Sequence, residues 1–236
     1  MKFSKRAPAL ARFIIAVFML PVAAALVWRF TGLVADFAGK ADYSTLPFWG
    51  GLGSYFIFQA FFPKPVRLYV FAHELTHALA GIISGAKLKS FKVSSSGGSV
   101  ILSKTNVLIS LAPYFVPFYS VVLMIVYAVG AKFWKLGDYQ PYFIFAMGFS
   151  LAFHFSLTHF ALKQGQSDLK LYGIFFSSIF IATVNFIMLP VLLKLVFPGS
   201  VALKSFFAGS YNTTLLICSM LYAKAVLLWD FLARMK

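Results

Sequence analysis

FAHELTHALAG, residues 71–81, places two histidines and a glutamate within five positions of an otherwise apolar run. The surrounding stretch, residues 66–86, is long enough to cross the hydrocarbon of a bilayer, which takes about 20 helical residues. Ionisable groups at that depth are expensive and mark functional sites by default. On a helix, His73 and His77 project from one face a turn apart, so both can reach a single metal ion. Glu74 stands beside them, placed to take a proton from water that the ion activates. Zinc suits this division of labour. It lowers the pKa of water in its open coordination position toward neutrality, and a nearby carboxylate accepts the proton as the oxygen attacks a carbonyl. Glu74 is the chain's sole glutamate, and His73 and His77 are two of its 4 histidines. From that composition HExxH arises by chance on the order of a few times in ten thousand.

The rest of the chain sets the solvent. Of 236 residues, 61% are hydrophobic and 11% charged, with a mean hydropathy of +0.85, outside the range of soluble domains. The expectation is an all-α polytopic membrane protein forming a single domain over residues 1–236. Apolar runs at 13–30, 66–86, 107–130, 141–162, 171–197 and 211–230 give about six transmembrane helices. LPFWGGLGSYFIFQAFF, residues 46–62, is shorter and interrupted by glycine, and reads as a re-entrant or interfacial piece. Lys and Arg number 21 against 6 acids, a net charge of +15. In so apolar a chain this marks loops facing anionic lipid. Nucleic acid is not an expected partner, because no basic run is interleaved with aromatics in a soluble segment. Lys2, Lys5, Arg6 and Arg12 precede the first run and place the N-terminus in the cytoplasm. The loop at 87–106, with four lysines and no acid, falls on the same side, as do Arg234 and Lys236. A bacterial plasma membrane is the plainest setting. Cys218, the only cysteine, has no partner for an internal disulfide and is expected to be a small buried residue.

Between two apolar runs, KLKSFKVSSSGGSVILSKTN at 87–106 alternates in the manner of a strand, meets Gly97–Gly98, and resumes with SVILS. It reads as a re-entrant or membrane-associated β-hairpin after the HExxH helix, with the glycine pair as its turn.

A catalytic zinc ion normally has three protein ligands and one open position, and HELTH supplies two. The remaining acids are Asp36, Asp42, Asp138, Asp168 and Asp230. Asp168, in GQSDLKLYG, is the leading third ligand, since carboxylate oxygen suits zinc; its alternative role is a helix N-terminal carboxylate. Asp138, in KLGDYQPY, comes second. His154 and His159, in SLAFHFSLTHF, could each replace Asp168 or donate to a developing oxyanion, the alternative being an interior histidine bonded to a serine or carbonyl. Asn106 and Asn185 are weaker candidates for substrate or oxyanion contacts.

Taken together, HELTHALAGIISGAK at 73–87, the hairpin after it, LISLAPYFVPF at 108–118 and the later Asp168 resemble the site-2 protease family of intramembrane zinc metallopeptidases. The resemblance covers about the middle two-thirds of the chain and is strongest at HELTH. It implies His73, His77 and Asp168 as ligands, Glu74 as general base, one zinc ion per chain, and a hairpin that dips into the membrane to present an extended substrate. The family's aspartate signature, an Asn and a Pro upstream of an Asp-Gly pair, reads here as HFSLTHFALKQGQSDLKLYG. That is the pattern of a divergent branch, in which His154 or His159 takes over from the missing Asn. Two full spans between the motif helix and residue 171 would start His73 and Asp168 at opposite faces of the bilayer. One of the stretches 107–130 or 141–162 is therefore expected to be broken or re-entrant, with Gly148, Ser150, His154, Ser156, Thr158 and His159 as the irregular region. The implied activity is hydrolysis of a peptide bond in or near the transmembrane segment of a membrane-protein substrate. Its rivals are a non-catalytic zinc-binding membrane protein and a metal or proton transporter.

Overall fold

The apolar runs become helices wherever proline and glycine leave them uninterrupted. The computed structural model describes residues 3–94 and 97–235, with side chains from residue 9 onward. Among these the chain is mostly helical, with one two-stranded sheet. In chain order the helices are α1 (Phe3–Gly39), α2 (Leu46–Phe61), α3 (Val66–Ile83), α4 (Val107–Leu111), α5 (Phe118–Phe133), α6 (Gln140–Lys163), α7 (Ser167–Tyr172), α8 (Ile174–Val196) and α9 (Leu203–Arg234). Four helices, α1, α6, α8 and α9, are long and apolar enough to cross a membrane, and a fifth span is added if α4 and α5 count as one bent crossing. A multi-pass membrane protein needs helices of this kind. The motif helix α3 is not among them; its 18 residues include Arg67, His73, Glu74 and His77. Two compact units divide the chain, residues 41–177 and residues 1–40 with 178–236.

In the unit 41–177, α2 and α6 lie side by side with almost no side-chain layer between their backbones. A Cβ on Gly51 would stand 1.9 Å from the Phe145 carbonyl oxygen, and one on Gly148 2.0 Å from that of Phe48. Only glycine permits so close an approach, as at small-residue contacts between membrane helices. Next to this contact Tyr55, Tyr69, Phe153 and Leu157 are buried against one another. The irregular backbone expected from Gly148 to His159 is thus corrected: α6 runs unbroken for 24 residues, and Gly148 serves its packing on α2.

The break lies instead in the preceding stretch. α4 and the 3-10 turn Ala112–Tyr114 meet α5 at 83° across residues 115–117. Pro117 has no N–H to continue a helix and disfavours helical backbone at Val116 before it. The bent segment climbs along α3 in the reverse direction. Ile109 meets His77, Tyr114 meets His73, and the Tyr119 hydroxyl donates to the Leu68 carbonyl at 2.8 Å. α5 then leaves and α6 returns beside it, joined by Ser120 and Ser150 at 2.8 Å and by the stacked rings of Tyr127 and Phe143.

The hairpin forms as β1 (Leu88–Ser94) paired antiparallel with β2 (Gly97–Leu102), Phe91 opposite Val100, with an irregularity between Leu88 and Ser90. Ser95 and Ser96 lie outside the described residues, as do Lys2 and Lys236, on which the orientation expected from positive charge partly rests. The glycine pair is within β2 and does not form the turn, Gly97 standing opposite Ser94 and Gly98 opposite Val93. The reason is spatial: a Cβ on Gly98 would sit 2.4 Å from Cγ of Glu74.

In the unit formed by residues 1–40 and 178–236, α1 packs against α8 through Phe30 and Phe186, with ring centroids 5.3 Å apart. Phe37 meets Phe197 just beyond the end of α8 at 4.9 Å. Asn185 donates to the Ile181 carbonyl one turn back in its own helix. Cys218 is exposed on α9, a correction to its expected burial, because it lies on a stretch of that helix that presents its side chains outward.

Candidate metal centre

α3 sets two imidazoles on one face, one turn apart. The Nε2 atoms of His73 and His77 are 3.2 Å from each other. Oδ2 of Asp168 faces both, 3.5 Å from His73 Nε2 and 3.4 Å from His77 Nε2. Donors placed tetrahedrally about 2.0–2.1 Å from one ion stand about 3.3 Å apart, so this triangle has the dimensions of a metal site. His73, His77 and Asp168 are the one group of His, Cys, Asp or Glu among the described residues arranged to hold a metal ion.

The surroundings fix the orientation of each donor. His77 Nδ1 lies 2.8 Å from the Ile109 carbonyl. A carbonyl only accepts, so Nδ1 carries the hydrogen and Nε2 keeps its lone pair toward the triangle. His73 Nδ1 is 3.3 Å from the Tyr69 hydroxyl, one turn earlier on the same helix. Asp168 opens α7, a six-residue helix flanked by Gly165 (φ +69°) and Gly173 (φ +93°). These left-handed conformations favour glycine, and the first reverses the chain after α6 so that Asp168 comes back to α3.

The triangle opens into a cavity of about 660 Å³ walled by α3, by residues 98–105 of and after β2, and by the start of α7. Glu74 lines it next to the donors, half-buried and outside the triangle. It is a carboxylate beside a metal-sized triangle with room for a ligand.

The other residues singled out from sequence fall elsewhere. Asn106 caps α4, its Oδ1 accepting from the Ile109 amide at 2.8 Å, and so steadies the carbonyl that orients His77. His154 is buried on α6 behind His73, where it lines a separate small cavity with Tyr69 and Thr76. His159 and Asp138 are exposed, and neither lines the cavity beside the triangle. Comparison with known protein families, curated proteins and solved structures finds no match.

One group beside the candidate metal site was not singled out in the sequence. The fully buried Tyr114 donates its hydroxyl to Asp168 Oδ2 at 3.0 Å, and its ring stands edge-on to His73 with centroids 5.2 Å apart. Its place in LISLAPYFVPF, at the bend between two prolines, is the one hint. Nothing in that stretch points to a carboxylate 54 positions away.

Proposed function

We propose that this chain is an intramembrane zinc metalloprotease that hydrolyses a peptide bond in or near the transmembrane segment of a membrane-protein substrate, as the site-2 protease family does. The donor triangle of His73, His77 and Asp168 beside Glu74 carries the reading, because three donors at this spacing would suit zinc and the adjoining cavity has room for water or substrate beside them. On this reading the chain crosses the bilayer about six times, with α3 and the bent α4–α5 segment among the crossings and the hairpin dipping into the membrane.

Bound zinc would supply Lewis acidity, polarising the scissile carbonyl and making water nucleophilic near neutral pH. The remaining work belongs to side chains and backbone. Glu74 takes a proton from the attacking water and delivers it to the departing amine nitrogen. The hydrogen bonds of His77 to Ile109 and of His73 to Tyr69 keep both imidazoles aimed at the site. A helical substrate hides its carbonyls within its own hydrogen bonds, so it must unwind before attack. β2 lines the cavity and has one strand partner among the described residues, leaving an edge on which an extended substrate could pair.

The test uses purified protein in detergent. Glu74→Gln is expected to keep one zinc per chain while cleavage of a transmembrane peptide falls about 10²–10⁴-fold, the usual contribution of a general base. Normal turnover by that variant would refute the assignment. Zinc retention with no hydrolysis by the wild-type chain against a panel of transmembrane peptides would favour a non-catalytic zinc protein.

A further inference from the structure

The unit formed by residues 1–40 and 178–236 holds a second cavity, of about 590 Å³, between the C-terminal part of α1 and the start of α9. Its central feature is Arg29. The Arg29 guanidinium lies flat against α9 at Gly209, where a Cβ would stand 2.5 Å from both Nε and Nη2. Nε is shielded from solvent without a hydrogen-bond partner, and Arg29 has no ion pair among the described residues. A guanidinium nitrogen shielded from water without an acceptor is unfavourable, and a partly buried arginine of this kind usually faces a ligand or a counter-charge.

The depth of Arg29 indicates which anion. Residues 13–28 between Arg12 and Arg29 contain no charged side chain. The two arginines are therefore about 26 Å apart along the helix, close to the thickness of a bilayer's hydrocarbon layer. With Arg12 at one boundary, Arg29 lies at the other, where lipid phosphates are found. Trp28 beside it is 70% exposed, as befits an aromatic at that boundary. The cavity supplies further donors. Thr31, Ser200, Ser205 and Lys40 line it with Arg29, and Asp36 is its one carboxylate. α9 begins there with Ala202 at its N-cap and no side-chain cap, which leaves the positive end of a 32-residue helix to an external acceptor.

We infer that this cavity binds the headgroup of an anionic phospholipid, with the Arg29 guanidinium on its phosphate and the start of α9 as a second contact. A guanidinium suits this ligand because its forked donors match two phosphate oxygens. Gly209 makes the site possible by giving the guanidinium its place against α9.

Native mass spectrometry of the full chain, released from micelles containing equal phosphatidylglycerol and phosphatidylcholine, tests the inference. The wild-type chain is expected to retain phosphatidylglycerol selectively. Arg29→Gln should weaken that retention at least about tenfold, the loss expected for a charge-assisted hydrogen bond. Gly209→Leu, which displaces the guanidinium and leaves its charge in place, should weaken it in the same direction, with circular dichroism confirming that both variants stay helical. Equal retention of the two lipids by the wild type, or undiminished phosphatidylglycerol retention by Arg29→Gln, would overturn the proposal. Arg29-dependent binding of inorganic phosphate without any of phosphatidylglycerol would assign the cavity to a soluble anion and overturn the lipid reading.

Discussion

α3 and α6 belong to the same compact unit, and each carries two of the chain's 4 histidines, spaced by four residues in HELTH and by five in HFSLTH. At 3.6 residues per turn a step of four leaves side chains about 40° apart around the helix, and a step of five about 140° apart. The consequences are plain in the structure. His73 and His77 bring their Nε2 atoms to 3.2 Å, while His154 turns into the core and His159 outward. One residue of spacing thus separates a site from two unrelated positions. Periodicity alone does not complete it, however, since Asp168 reaches the pair only because the bend at 115–117 and the reversal at Gly165 bring α7 back to α3.

Removing a member of the α3 pair should have the largest effect. His77→Ala is expected to lower zinc affinity on the order of a few hundredfold, because a four-ligand zinc site gains roughly 10–16 kcal/mol in total. Zinc content after dialysis against a mild chelator, with circular dichroism as a control for folding, measures it. Retention of a full equivalent of zinc would show that α3 does not hold the metal.

The next comparison is between two kinds of glycine. Gly148 meets backbone, so any side chain there must part α2 from α6; Gly98 meets the flexible Glu74 and Val70 side chains. Gly98→Val should therefore leave the fold and zinc uptake intact while pushing the Glu74 carboxylate aside. A displacement of about 1 Å in a catalytic group costs about 10²-fold. The expected result is a fall in kcat of that order at unchanged zinc content. A loss of helicity would instead mean that Gly98 supports the hairpin's packing on α3 as a whole.

The helices, the hairpin and the HELTH face were legible in the sequence because each is a local pattern: long apolar runs, strand-like alternation around two glycines, and a four-residue spacing on one helix. Local patterns do not specify who approaches whom. Gly148 and the polar residues after it looked like irregular backbone, yet the glycine exists to let Phe48 of α2 come close. The pair Gly97–Gly98 looked like a turn because turns favour glycine, but Gly98 is small on account of Glu74, 24 residues earlier. The prolines of LISLAPYFVPF were visible, but the 83° bend they impose becomes informative only once α5 and α6 are placed. Tyr114 is the extreme case, joined to Asp168 by a hydrogen bond that no spacing rule could suggest.

Tyr114→Phe sharpens that point, since it keeps the buried ring against His73 and deletes only the hydroxyl. Groups that orient metal ligands through hydrogen bonds typically account for 10–100-fold in affinity. A loss of that size is expected for zinc, measured by competition with a chromophoric chelator. Cobalt in place of zinc offers a second readout: if the hydroxyl sets the position of Asp168, the visible absorption bands of the cobalt-loaded variant should shift, whereas a merely structural tyrosine would leave them unmoved.

The smallest effect should come from the other histidine pair. His159 is exposed and lines no part of the cavity beside His73, His77 and Asp168, so His159→Ala is expected within about 0.5 kcal/mol of the wild type in stability and with zinc uptake equal to the wild type's. His154 is buried on the far side of His73, and truncating it leaves a cavity beside Tyr69. His154→Ala should cost about 1–3 kcal/mol in stability, measured as a lowered Tm in detergent, with zinc stoichiometry unchanged. The two measurements separate packing from ligation. A normal Tm with zinc lost would make α6 a contributor to the metal site, and the step of five would then have to be bridged by a change in α6 that brings His154 around to the face of Asp168. A lowered Tm with zinc retained leaves ligation to the step of four in α3 and gives His154 the part of a core residue that supports His73 from behind.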